Sequence, residues 1–245
     1  MKNIIKGLMV AGLIAGVSST AEAAKYKVVD VANGGKIIGK VAAGAAAEKT
    51  KSYTISKDPQ ICGEGKRDVP LVRIKDGVLL DAVVYLTKVK EGKAFEDGMQ
   101  SLTINQKGCA FSPALGFIAN GGELTATNSD PTLHNIHTYE QIGRARRTIF
   151  NVSQPNQGDT VTKKVKARKG VGMKVECDAH DFMHSFVFIA PNPYFAPVKE
   201  DGSYEITNVP AGKYKINVWH GTLGTQKAAK IEVKAGGAAT ADFTY

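Results

Sequence analysis

Short runs of alternating apolar and polar residues, separated by Gly, Pro, Asn and Asp, are the feature that most restricts the fold of this chain. Strand side chains alternate between the two faces of a sheet, whereas a helix repeats apolar residues every three or four positions. The alternating kind dominates after the first 23 residues, so the sequence predicts an all-β protein. The predicted strands are 36–41, 78–89, 101–105, 123–128, 160–167, 171–177, 185–190, 203–207, 213–219 and 228–233.

The first 23 residues have the pattern of a signal peptide. Lys2 and Lys6 precede a short apolar run, and the run ends in Ala21-Glu22-Ala23, a small-x-small sequence that signal peptidase accepts. The run is shorter than the roughly 20 residues that a membrane-spanning helix needs. We therefore expect residues 1–23 to be cleaved and the mature protein to be periplasmic or extracellular, without stable membrane insertion.

The chain is moderately basic, with 32 basic and 23 acidic side chains. Removal of the leader takes away two lysines and one glutamate and leaves a net charge of +8. Basic residues gather at 143–147 and 163–169. These clusters either steer an acidic partner protein or contact an anionic membrane surface, or they simply lie on a solvated loop and the outer face of a strand. The sequence has no nucleic-acid-binding motif, so no nucleic acid partner is expected.

Three cysteines in an exported chain leave one thiol over when the other two pair. Cys62 lies in a turn-like segment and Cys109 follows a glycine, whereas Cys177 is followed closely by histidines. We therefore predict a Cys62–Cys109 disulfide and a free Cys177 that serves as a metal thiolate.

Four residues in the second half of the chain form a ligand set suited to copper. They are His134, Cys177, His180 and Met183. Copper that changes oxidation state favours imidazoles, one soft thiolate and a weak thioether. In the predicted strand 171–177, Cys177 shares the inward face with apolar residues, which would shield its sulfur from water.

The same segment resembles the cupredoxins, the family of blue-copper proteins that includes plastocyanin and azurin. Its residues 128–135 match their N-x-D-x-x-x-H-N pattern, and residues 177–183 match their C-H-M ligand loop. The resemblance implies a Greek-key β-sandwich with one type 1 copper ion. His134, Cys177 and His180 would be its equatorial ligands and Met183 its weak axial ligand. It also implies that an exposed ring edge of His180 passes the electron.

Further histidines are candidates for additional roles. His184 directly follows Met183 and is an alternative axial ligand, and His137 is a further candidate ligand, although it faces away from His134 on the predicted strand. His220 is expected to be structural.

The residues that flank the copper segment resemble carboxypeptidase-regulatory-like (transthyretin-like) domains. A G-x-I-x-G-x-V strand lies at residues 35–41, and a D-G-S-Y hairpin followed by V-P-x-G-x-Y lies at 201–214. The predicted organisation is a leader at 1–23, the first part of a transthyretin-like domain at 24–99, a cupredoxin-like domain at 100–191 and the remainder of the flanking domain at 192–245. The copper sandwich would thus be combined with a second Ig/transthyretin-like sandwich.

Three functions remain open at this stage. The first is an electron carrier that exchanges electrons with a redox protein such as a cytochrome and works as a monomer. The second is a copper carrier or chaperone, and the third is a structural β-sandwich module with a non-essential metal site. The sequence has no recognisable hydrolase, phosphate-binding, metalloprotease or haem-attachment motif, so no enzymatic activity is expected.

Overall fold

The computed structural model describes residues 26–226 and 228–245, so the predicted leader lies outside the described part. In that part the chain is built almost entirely of strands, and one helix of four residues, α1 (Pro59–Cys62), interrupts them. The all-β prediction is confirmed. Among the described residues, no helix has the length and apolar character needed to cross a membrane.

The strands up to residue 128 are β1 (Lys27–Val28), β2 (Gly35–Ala42), β3 (Lys49–Thr54), β4 (Lys66–Val72), β5 (Ile74–Lys75), β6 (Val78–Leu79), β7 (Ala82–Thr87), β8 (Glu91–Gly92), β9 (Ser101–Gln106), β10 (Phe111–Ser112), β11 (Leu115–Ala119) and β12 (Glu123–Asn128). The later strands are β13 (His134–Ile142), β14 (Ala145–Gln154), β15 (Thr160–Lys164), β16 (Gly172–Glu176), β17 (His184–Ala190), β18 (Phe195–Pro197), β19 (Ser203–Val209), β20 (Gly212–His220), β21 (Gly224–Thr225), β22 (Ala229–Val233), β23 (Ala238–Thr240) and β24 (Phe243–Thr244).

Two sheets from the middle of the chain form the central unit. One sheet has the order β10-β9-β12-β15 and the other has the order β11-β17-β16-β13-β14. Their alternating apolar residues form one buried cluster, which includes Ile104, Leu124, Ile136 and Val175. Strands with one apolar and one polar face pack in this way, with the apolar face buried in the core and the polar face towards solvent.

The second unit is formed by strands that precede and follow the central unit in sequence. Its sheets have the order β18-β7-β20-β21, with β22 beside β20, and β19-β2-β6-β5, with β23 and β24 beside β2. Its core includes Ile37, Leu86, Ile216 and Val218. Residues on both sides of the central unit are therefore hydrogen-bonded neighbours in the same sheets, as in the pairing of β2 with β19.

An aromatic layer joins the two units. The Phe188 ring, on β17 of the central unit, lies 5.8 Å from the Trp219 ring and 5.3 Å from the Tyr85 ring, both of the second unit. All three side chains are buried. Strand β17 is therefore covered on both faces, which explains why its sequence is an almost continuous apolar run.

A hairpin of β3, α1 and β4 departs from the predicted organisation. Its residues fall within the range 24–99 that was assigned to the transthyretin-like domain, yet Ile55 and Cys62 are buried in the core cluster of the central unit. The Cys62–Cys109 disulfide joins this hairpin to the loop between β9 and β10. The hairpin therefore packs with the unit that contains the predicted ligands.

The arginine-rich segment 143–147 is a turn followed by the start of β14, and its residues 143–146 are exposed to solvent. Arg147 pairs with the buried carboxylate of Glu140 at 2.6 Å, and Arg146 pairs with Glu176 at 2.9 Å. These two arginines already have acidic partners within the protein, which weakens their assignment to an external acidic partner.

Candidate metal centre

Three of the predicted ligands meet at one end of the central sandwich. His134 is the first residue of β13, and Cys177 directly follows β16, which pairs with β13. His180 follows in the loop before β17. The Nδ1 atoms of His134 and His180 are 3.2 Å apart, and the Cys177 Sγ atom lies 3.9 Å from the first and 3.8 Å from the second. All three side chains are at most 2% exposed.

Carboxylates fix the tautomer of both histidine rings. Nε2 of His134 lies 2.9 Å from Oδ2 of Asp130, and Nε2 of His180 lies 2.9 Å from Oδ2 of Asp58. Because an ionised carboxylate only accepts hydrogen bonds, each Nε2 must carry a proton and donate it. In the neutral rings, each Nδ1 therefore points an unprotonated lone pair into the space shared with the Cys177 sulfur.

Both carboxylates are held ionised by further hydrogen bonds. The Asp130 side chain accepts from the backbone N–H groups of Gly108 and Cys109 at 2.7 and 2.8 Å. Although burial acts in the opposite direction, these bonds and the His134 ring lower the pKa of Asp130. The Thr132 hydroxyl and the His180 ring lower the pKa of Asp58 in the same way.

Cys177 is a free, buried thiol. Burial raises its pKa, while backbone N–H groups of Asn135, His180 and Ala179 act against that rise. Burial likewise lowers the pKa of the His180 ring, which favours its neutral form. A neutral imidazole beside a thiol whose sulfur accepts backbone hydrogen bonds is suited to bind a soft cation, which would displace the thiol proton.

Asn135 holds the ligand loop against β13. Its side-chain oxygen accepts from the backbone N–H of Asp178 at 2.6 Å, and its amide donates to the Asp178 carboxylate at 3.0 Å. These bonds fix the residue that follows Cys177. The asparagine of the N-x-D-x-x-x-H-N pattern thus has a definite structural role here.

Met183 lies in the same hydrophobic cluster as Cys177 and is 2% exposed. Its backbone N–H donates to the His180 carbonyl at 3.0 Å, and its own carbonyl accepts from the Cys177 N–H at 3.3 Å. The loop therefore closes on itself, with the Met183 side chain buried in the same cluster as Cys177.

The remaining histidines lie outside this cluster of three ligand atoms. The His137 ring is stacked on Tyr139 and bonded to Asp178 and Thr148. His184 is partly buried against Phe186, and burial lowers the pKa of its ring to about 4. His220 Nδ1 accepts the backbone N–H groups of two following residues, an arrangement that closes a turn.

The expected exposure of the His180 edge is wrong. The residue is 2% exposed, because Asp58 and the hairpin of β3, α1 and β4 cover its Nε2. Nothing near Asp58 in the sequence indicates this role, since 122 residues separate it from His180. Asp130, by contrast, belongs to a recognisable motif and could have been identified from it.

The three ligand atoms have spacings that fit one metal ion. Nitrogen and sulfur ligands lie about 2.0 to 2.3 Å from an ion such as zinc, and three of them in a trigonal plane are about 3.5 Å apart. The separations of 3.2, 3.8 and 3.9 Å are close to that value. Two imidazoles and one thiol, with Met183 buried in the same cluster as Cys177, are donor types that favour copper.

No protein-family model matches the chain, and no curated protein matches it. Several solved structures are similar over part of the chain. A purple cupredoxin from Nitrosopumilus maritimus is 22% identical, with 36% of this chain and 98% of that chain covered and a TM-score of 0.31. Auracyanin from Roseiflexus castenholzii is 15% identical, with coverages of 40% and 100% and a TM-score of 0.32. Auracyanin A from Chloroflexus aurantiacus, described as a "blue" copper protein, is 14% identical, with coverages of 36% and 97% and a TM-score of 0.30. These low values do not identify a family, and the function proposed below rests on side-chain geometry.

Proposed function

We propose that this protein binds one copper ion in a type 1 site and carries single electrons. His134, Cys177 and His180 would be the equatorial ligands and Met183 the axial ligand. The central observation is the triangle of two Nδ1 atoms and one Sγ atom, with sides of 3.2, 3.8 and 3.9 Å, enclosed by the protein.

The hydrogen-bonding pattern supports a cation at the centre of this triangle. Two imidazole lone pairs that face each other across 3.2 Å repel one another unless a proton or a metal ion lies between them. The carboxylates of Asp58 and Asp130 fix both rings in this orientation and add negative charge behind them. Such carboxylate–histidine pairs are typical of metal sites, where they orient the ring and increase its basicity.

Copper, when bound, would supply a centre that gains and loses one electron. The chain's own contribution is rigidity: His134 and Cys177 are anchored on paired strands, and Asp58 holds the His180 ring in place. Ligands that cannot move far in either oxidation state favour rapid electron exchange. The enclosed site also excludes water from the Cys177 sulfur.

The copper-carrier hypothesis receives less support from the geometry. It relies on His137 and His184 as additional, accessible ligands, but His137 is occupied by Asp178 and Thr148, and His184 packs against Phe186. An enclosed site also favours retention of the ion over its transfer. We therefore place electron transfer before copper transport. We propose a redox protein, such as a cytochrome, as the partner, and we do not propose an enzymatic reaction.

Export is part of the proposal. A buried disulfide between Cys62 and Cys109 suits an oxidising compartment such as the periplasm or the extracellular space. The transthyretin-like resemblance of the flanking segments leads us to propose that the second unit is a scaffold that supports the copper unit and contributes no ligand.

The test is a titration of the purified protein with Cu(II), followed by visible absorption and paramagnetic resonance. We expect an intense thiolate-to-copper band that saturates at one equivalent and is absent from Cys177→Ser. His137→Ala is the matched control, since it removes an imidazole outside the triangle and should retain the band. If the wild-type protein has no such band at one equivalent of copper, the type 1 assignment is wrong.

A further inference from the structure

The hairpin of β3, α1 and β4, here called the cover, lies over the ligand loop. Asp58, at the start of α1, accepts a hydrogen bond from His180 Nε2 at 2.9 Å. Tyr53 of β3 makes an edge contact with Phe182, the residue before Met183, at a centroid distance of 6.4 Å. The cover therefore contacts the ligand loop through one hydrogen bond and one aromatic ring contact.

Several contacts fasten the cover to the central unit. The Cys62–Cys109 disulfide joins the end of α1 to the loop after β9. Arg67 of β4 donates to the Cys109 carbonyl at 2.6 Å and to the Gly108 carbonyl at 3.2 Å. Its guanidinium also lies 4.8 Å from the centre of the Phe182 ring. The cover is thus attached at the same loop whose N–H groups bind Asp130, the partner of His134.

The disulfide is also close to the ligands themselves. The sulfur atoms of Cys62 and Cys109 and one ring nitrogen of His180 all lie within 4.8 Å of one another. All three residues are buried. The cover therefore lies directly against the His180 ring, through Asp58 on Nε2 and through the neighbouring disulfide.

We propose that the cover is a fastened lid that retains copper in the proposed site, and that Asp58 is the positioning residue that holds His180 as a ligand beneath it. This proposal rests on the proposed function. It assigns electron exchange to a route through the cover instead of through an exposed imidazole edge. It also assigns two tasks to Asp58: its hydrogen bond orients the His180 ring, and its negative charge favours the oxidised ion.

The lid is tested by copper loss. Copper-loaded protein is mixed with excess EDTA, and the decay of the thiolate band is followed in the wild type and in the Cys62→Ser/Cys109→Ser double variant. Because loss of a disulfide that closes a long loop lowers the free energy of opening, we expect the double variant to lose copper about tenfold faster or more.

The role of Asp58 is tested by two substitutions and a control. Asp58→Asn keeps a hydrogen-bond acceptor but removes the charge, so the reduction potential should rise while copper loss stays near the wild-type rate. Asp58→Ala removes both the hydrogen-bond acceptor and the charge, so it should raise the reduction potential and also accelerate copper loss. Asp68→Asn is the matched control: Asp68 is exposed on β4 of the same cover and bonded to Ser52, so neither quantity should change.

The outcomes separate this proposal from the proposed function. If the wild type has the thiolate band but both Asp58 variants match Asp68→Asn in copper loss and potential, the cover proposal is overturned and the copper site stands. If the wild type has no band, both proposals fail. The Asp58 variants keep the disulfide and all four ligands, so they decide the matter even if the double variant does not fold.

Discussion

The Nδ1 atoms of His134 and His180 lie 3.2 Å apart while the opposite nitrogen of each ring donates to a carboxylate. The backbone and the carboxylates hold the rings in this position. Such a site would undergo little reorganisation on binding, and a cation between the facing lone pairs would relieve their repulsion. Occupancy should therefore be linked to the stability of the fold.

Copper should raise the free energy of unfolding. An ion that binds only the folded state stabilises it by about 2.7 kcal/mol at a free concentration one hundred times Kd. The midpoint temperature of thermal unfolding of the wild type should rise when Cu(II) is added. The rise should be absent when EDTA is present together with the Cu(II). His134→Ala should lose the shift, whereas His137→Ala should keep it. An equal shift in all three proteins would mean that the ion binds elsewhere.

The axial ligand is distinguished by paired substitutions at neighbouring positions. Met183→Leu conserves volume in the core, so the fold and the thiolate band should persist. The reduction potential should rise, because an axial donor to the oxidised ion is lost. His184→Ala should leave the potential unchanged, since this ring packs against Phe186. The reverse result would assign the axial position to His184.

Strand periodicity was sufficient to predict much of the fold. Strands β12 and β17, for example, fall at the predicted positions because their burial follows their sequence. Strand β14 was not among the predicted strands, since the arginines at 144, 146 and 147 indicated a solvated segment, whereas β13 was expected as the strand that carries His134 and His137. Arg147 and Arg146 of β14 pair with Glu140 of β13 and Glu176 of β16. Tertiary ion pairs of this kind have no local sequence signal.

The candidate site likewise contains residues that the sequence predicts and one, Asp58, that it does not. His134, Cys177, His180 and Met183 could be predicted because copper requires specific donor types and the last three lie close together in sequence. Asp58 could not, because a carboxylate before a proline is typical of an ordinary turn. The cover therefore emerges only from the three-dimensional arrangement, and with it the correction that the His180 edge is buried.

Glu140 should make stability fall at acidic pH. Its buried carboxylate accepts the backbone N–H groups of Arg168, Lys169 and Gly170 and pairs with Arg147. Although burial acts in the opposite direction, these partners lower the pKa of Glu140 to about 2. Because the folded pKa is below the unfolded value of about 4.3, this contribution is present above that pH and is lost as pH falls towards 2.

The magnitude of the Glu140 effect is on the order of 3 kcal/mol. Glu140→Gln should therefore lower the free energy of unfolding near pH 7 and flatten its dependence between about pH 4.5 and 2. Glu200→Gln makes the same chemical change at a residue exposed to solvent and should have little effect. Denaturant unfolding at several pH values checks both variants. A Glu140→Gln protein with the wild-type slope would show that another group dominates acid unfolding.

The aromatic layer should make the two units unfold together. Phe188 contacts Tyr85 and Trp219 across the boundary, and Phe→Ala substitutions at buried positions cost about 3–5 kcal/mol. Trp219 is the one tryptophan of the sequence, so its fluorescence reports on this layer, while the thiolate band of copper-loaded protein reports on the central unit.

In the wild type the two signals should change at the same denaturant concentration. Phe188→Ala should lower the fluorescence midpoint, and Leu223→Ala, at an exposed site, should not. Two separate transitions already in the wild type would mean that the layer does not couple the units.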